Sequence, residues 1–126
     1  NNGSGIGTTV NALQQMVELA RLYDTTVLIG TMFQTCVSIS PTGVVRQNSA
    51  DRIASFNAAI RAMAAGRQNV YVVNVDSVFG NNCGPEGGVG WLGNDGLHPS
   101  PTGYTALAST FATASRERFA VRGSYQ

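Results

Sequence analysis

The sequence predicts an α/β domain built on a parallel sheet, and three observations carry that prediction. Apolar residues recur at helical spacing in three separate segments. Two runs, TTVLIGTM over 25–32 and NVYVVNV over 69–75, are β-branched and nearly continuously apolar, the pattern of parallel strands covered on both faces. Helix and strand segments alternate, as they do where helices cross over a parallel sheet.

The elements follow in order. Residues 1–8 (NNGSGIGT) are glycine-rich and polar, and Val10, Leu13, Val17 and Ala20 then form one helical stripe, predicting a helix over 9–22 with Thr8 or Thr9 as its N-cap. The run over 25–32 is the first strand. Ser, Pro, Gly and Asn make 34–48 a loop. Ser49 caps a second helix in which Ile53, Phe56, Ile60 and Met63 form the apolar stripe, and Gly66 ends it. The run over 69–75 is the second strand. Seven glycines then fall within the seventeen positions from Gly80 to Gly96, a density that only a loop carries. Ser100 as N-cap and Pro101 at the first helical position open a last helix through Tyr104, Leu107, Ala108, Phe111 and Ser115 to about Phe119. Two such strands make a poor sheet alone, so further strands are expected from other copies or from the missing first part of a larger domain.

Composition excludes several function classes. The chain has 126 residues, enough for one domain, with 43% hydrophobic and 12% charged residues. Eight Arg, no Lys and seven acids leave a net charge of +1, without the basic stripe that a nucleic-acid partner demands. No apolar stretch is long enough for a membrane span. Asn1 at the start, with no leader pattern after it, implies a terminus made by processing, cloning or cleavage.

The strongest local signal is NDGLHPSPTGY over 94–104. His98 is the only histidine, and Asp95, three residues earlier, is close enough for its carboxylate to orient one ring nitrogen, leaving the other as a base. Pro99 bars His98 from helical backbone and so keeps it on the loop before the last helix. A lone His with a nearby Asp is also a common structural pair. Gly88–Gly93 spells GxGxxG but opens no helix, and Gly3–Gly7 is set aside for the same reason. Without Lys there is no Walker-type loop, and no cofactor or metal is implied. Trp91 either walls a substrate cleft or anchors the loop. Among serines, Ser100 is explained as a cap, and Ser4 lacks the strand-turn-helix setting of an exposed nucleophile; Ser38, Ser40 and Ser77 fall on loops after strands, spatially open to the role but with no motif to support it. Cys36 and Cys83 each follow a strand at one sheet edge, so they form either a bridge or two free thiols. A bridge would close a loop of about 48 residues, stabilise by roughly 4 kcal/mol and favour an exported protein, secreted or periplasmic.

The segment DGLHP resembles the final Asp-x-x-His-Pro block of the SGNH or GDSL hydrolase superfamily. NALQQMVELARLYDTTVLIGTM is similar to that family's helix and following strand, and FNAAIRAMAAGRQNVYVVNVDSVF to its next helix and strand, including the aspartate, Asp76, that often ends it. The resemblance implies a three-layer α/β/α flavodoxin-like sandwich, of which this chain is the C-terminal part. It implies a serine esterase acting on a small-molecule or carbohydrate ester, with His98 as general base and Asp95 as its orienting partner. The family's serine, glycine and asparagine blocks do not occur here, so the nucleophile is expected from an N-terminal half of the same enzyme or a second chain. The alternative is a truncated, non-catalytic α/β module that self-associates or binds a ligand without turnover.

Overall fold

A computed structural model of the chain describes residues 4–34, 36–39, 44–47, 50–80, 91–93 and 98–123, with side chains over 5–34, 52–80, 91–93 and 98–118. The order is α1 (Ser4–Leu22), β1 (Val27–Gly30), β2 (Cys36–Ile39), β3 (Val44–Gln47), α2 (Ala50–Ala64), β4 (Val70–Val73), α3 (Val75–Phe79) and α4 (Pro101–Gly123). The two apolar runs pair in parallel as expected, Val27 opposite Val70 through Gly30 opposite Val73. Because side chains alternate across a strand, this register sends Val27, Ile29, Val70 and Val72 to one face and Leu28 and Val73 to the other. The first face is covered by Ile6, Val10, Leu13 and Val17 of α1 and by Phe56, Ile60 and Met63 of α2. The second meets Val75 and Phe79 of α3 and Ala106, Leu107, Phe111 and Ala114 of α4. The result is the three-layer α/β/α arrangement.

Gly30 sets how closely the layers approach. A Cβ there would lie 2.8 Å from Phe111 Cζ and 3.2 Å from Val75 Cγ2. The missing side chain is therefore filled by the aromatic ring of α4.

Several expectations need correction. α1 starts at Ser4, not residue 9, so Thr8 and Thr9 lie inside it and Ser4–Gly7 forms its first turns. Burial of Ile6, one turn before Val10, outweighs the low helix propensity of Gly5 and Gly7. The supposed loop over 34–48 holds an antiparallel hairpin, Cys36 opposite Gln47 through Ile39 opposite Val44. Its β-branched runs flank Ser40–Gly43, which lies outside the described residues, as does Ser49. Cys36 and Ser38 consequently sit in β2 rather than on a loop. Val75 and Ser77 belong to α3, and Tyr104 is exposed while Gly103 is buried, so the inward face of α4 is rotated toward Gly103, Ala106 and Thr110.

α1 ends in a Schellman closure: the Thr25 N–H donates to Ala20 O at 2.9 Å and the Asp24 N–H to Arg21 O at 3.1 Å. Asp24 occupies the left-handed position with φ 55°, where glycine is favoured, and sets a carboxylate at the negative end of a helix. Gly66, with φ 77°, plays the same part after α2. Asp24→Gly should therefore raise stability by roughly 0.5–1 kcal/mol, read as a higher urea midpoint, and Gly66→Ala should lower it by about 1 kcal/mol. A fall for Asp24→Gly would contradict this account of the turn.

Candidate active site

His98 is held by a backbone clasp. Trp91–Gly93 runs antiparallel to His98–Ser100: the Gly93 N–H donates to His98 O at 2.7 Å, the Ser100 N–H donates to Trp91 O at 2.9 Å, and Leu92 bridges Pro99. Ser100 caps α4 as its sequence implies, its Oγ accepting the Gly103 N–H at 3.1 Å. Pro101 occupies the first helical position, where no N–H is needed. A Cβ on Gly103 would fall on the Trp91 carbonyl oxygen, so only glycine lets the first turn of α4 lie against the clasp.

Aromatic packing fixes the clasp to the sheet. The Trp91 ring meets Phe79 edge-on at 5.0 Å, and Phe79 stacks on Phe33 at 4.5 Å. Phe33 follows β1 and Phe79 ends α3 just after β4, so the clasp sits beyond the carboxyl ends of both strands, the edge where open α/β sheets take their ligands. The His98 side chain is exposed there. From this edge α4 runs back along β4, and the Arg118 guanidinium reaches the Tyr71 ring, 3.4 Å from its centroid. Asp95 and Cys83 lie outside the described residues.

A polar cluster ties the same strand ends together. Thr31 directly follows β1, and its single hydroxyl proton is best placed on Asp76 Oδ1, 2.7 Å away, rather than on Val73 O at 3.4 Å. The Asp76 N–H donates back to Thr31 Oγ1 at 3.0 Å. Asn57, 3% exposed on the inward face of α2, accepts the Met32 N–H at 2.7 Å and donates to Met32 O at 2.9 Å, acting as a substitute strand neighbour. Arg61 Nη2 donates to both Asp76 oxygens at 3.0 Å and to Asn74 Oδ1 at 2.8 Å. Burial alone would raise the Asp76 pKa, but hydrogen bonds from Thr31 and Arg61, the Arg61 charge and the Ser77 N–H outweigh it and hold the carboxyl below its ordinary 3.8. Thr31, Asn57 and Arg61 were not singled out by the sequence reading. The available signal was one Asn within the apolar stripe of α2.

Beside Met32 lies a cavity of about 420 Å³, lined by Gly5, Ile6 and Thr9 of α1 and by Arg52, Ile53 and Phe56 of α2. Among the described residues, no three of His, Cys, Asp and Glu come together as metal ligands would.

The chain belongs to the GDSL-like lipase/acylhydrolase family, whose model matches residues 1–106. No curated protein matches it. Three solved structures share its fold at 22% identity: a Bacteroides fragilis protein described as an acylhydrolase (TM-score 0.69, covering 90% of this chain and 52% of that one), a GDSL-like lipase from Bacteroides thetaiotaomicron (0.67, 90% and 53%), and a Streptococcus pneumonia protein described as a platelet activating factor (0.67, 86% and 51%). The chain spans about half the length of each.

A carboxyl whose folded pKa is depressed stabilises the fold fully above its unfolded value and loses that contribution as pH falls through the lowered folded value. Arg61→Ala removes two of the lowering causes and leaves burial, so the Asp76 pKa should rise and acid unfolding should begin at higher pH. Carbon-detected titration of Asp76, together with the acid midpoint, reads both. An unchanged Asp76 titration in the variant would contradict the assignment.

Proposed function

We propose that this chain is the base-bearing portion of a serine esterase that hydrolyses carboxylic esters, acetylated carbohydrate among them. The observation that carries the reading is His98 in a DxxHP block, on a hydrogen-bonded clasp beyond the carboxyl ends of a parallel sheet, in a chain of the GDSL-like family. His98 takes the proton of a serine hydroxyl as its oxygen attacks the ester carbonyl carbon, and Asp95 fixes the ring tautomer and stabilises the imidazolium. The tetrahedral intermediate collapses, and the alcohol leaves with the proton from His98. Water, deprotonated by His98, then attacks the acyl-serine, and His98 returns that proton to the serine oxygen as the acid is released.

The serine comes from polypeptide outside these residues. Within the chain Ser100 caps α4, Ser4 is the first residue of α1 and Ser38 lies in β2. Trp91 serves the site as the anchor of the clasp, its ring being engaged with Phe79. A Cys36–Cys83 bridge would fit a secreted or periplasmic enzyme.

In the complete enzyme, His98→Ala should lower kcat for a short-chain nitrophenyl ester by roughly 10³-fold or more with little change in KM. Asp95→Asn should leave measurable turnover, because the base persists after its orientation is lost. Equal rates for wild type and His98→Ala would overturn the reading in favour of a non-catalytic module.

A further inference from the structure

Asp76 gathers hydrogen-bond donors from three elements at once. Its Oδ1 accepts the Thr31 hydroxyl at 2.7 Å and the Ser77 N–H at 2.9 Å, Arg61 Nη2 donates to both oxygens at 3.0 Å, and Asn57 Nδ2 reaches Oδ2 at 3.4 Å. Neither member of the ion pair is deeply buried, the side chains being 42% exposed at Arg61 and 26% at Asp76. Pairs so exposed contribute little to stability. What the cluster fixes is geometry: the end of β1, the inward face of α2 and the first turn of α3 meet at one carboxylate.

Two rings of the aromatic stack depend on that point. α3 is only five residues long and its N-cap, Asn74, makes no side-chain cap bond, so Asp76 Oδ1 is the side-chain acceptor for its first turn. This helix carries Phe79. On the β1 side, Asn57 gives one amide proton to Asp76 and the other to Met32 O, while its own Oδ1 accepts the Met32 N–H. Phe33 is the next residue. The two rings are thereby brought together at 4.5 Å, and Trp91 rests edge-on against Phe79 at 5.0 Å. The Trp91 carbonyl then accepts the Ser100 N–H, and two residues on the Gly93 N–H donates to His98 O. Each link from Asp76 to the His98 backbone is a hydrogen bond, a ring contact or a short step along the chain.

We propose that Asp76, held by Thr31 and Arg61, is a positioning residue for His98, setting Phe33 and Phe79 and, through them, Trp91 and the clasp. It takes and gives no proton in the reaction. The effect on rate rests on the esterase reading; the effect on the clasp does not. A general base must come within about 2.6–3.2 Å of the group whose proton it takes, and a misplacement of about 1 Å can cost two orders of magnitude in rate. Loosening the cluster therefore acts on kcat, where the alignment of His98 with the reacting atoms is felt, and leaves KM nearly alone.

The test compares Asp76→Asn and Thr31→Val with wild type in the complete enzyme, by ester kinetics and by amide hydrogen exchange. In both variants kcat for a short-chain nitrophenyl ester should fall by about tenfold or more, with KM within about twofold. The Gly93 and Ser100 amides should exchange about tenfold faster or more, while the Val27 amide, at the far end of β1, keeps its protection. Thr31→Ser restores the hydroxyl and should bring kcat back to within about threefold of wild type. Gly66→Ala weakens the fold at the opposite edge of the sheet and should leave kcat unchanged. Wild-type kcat in Asp76→Asn and Thr31→Val, an equal loss in Gly66→Ala, or unaltered exchange at Gly93 and Ser100 would each overturn the proposal. Failure of the esterase reading shows separately, as a wild-type rate in His98→Ala, and the exchange rates then decide the positioning role alone.

Discussion

The ends of β1 and β4 are held by one carboxylate. Asp76 receives the Thr31 hydroxyl at 2.7 Å from the end of one strand and leads α3 away from the end of the other. Arg61 brings α2 to the same oxygens. Everything beyond the sheet is built on that knot. α3 begins at Val75 and delivers Phe79 between Phe33 and Trp91, and the Trp91 carbonyl is the acceptor that places Ser100 and the start of α4. His98 is two residues from that hydrogen bond. The exposed His98 side chain thus sits on a backbone held by two cross-strand hydrogen bonds, as a positioned proton carrier requires.

Much of this was legible in the residues. The two strands announced themselves because a strand buried on both faces has no room for polar alternation. α2 was readable because Ile53, Phe56, Ile60 and Met63 keep strict helical spacing, and the start of α4 because Ser-Pro satisfies the first-turn donors by local chemistry alone. The failures have a common cause. The early turns of α1 are stabilised by the burial of Ile6 against the sheet, which no local propensity reports. The hairpin of β2 and β3 uses four-residue strands, too short for their period to stand out from a loop rich in Ser, Pro and Gly. Tyr104 falls on the predicted stripe of α4 but points outward, because the close approach of Gly103 to Trp91 sets the rotation of the helix.

The candidate site was legible in part for a different reason. His98 stands alone in composition and within a distinctive block, so its chemistry could be read without a fold. The Asp76 knot could not: Thr31, Asn57, Arg61 and Asp76 are separated by up to 45 residues and carry no spacing signal. Their proximity is a product of the parallel register, in which Gly30 opposes Val73 and brings the next residues of both strands to the same point.

As proposed, this chain supplies the base and its scaffold to a triad whose nucleophile lies elsewhere. Fluorophosphonate labelling of the complete enzyme, followed by peptide mapping, tests that division most directly. The account predicts a single modified serine outside Asn1–Gln126, with labelling abolished by His98→Ala. A modified serine within the 126 residues, or labelling indifferent to His98, would contradict it.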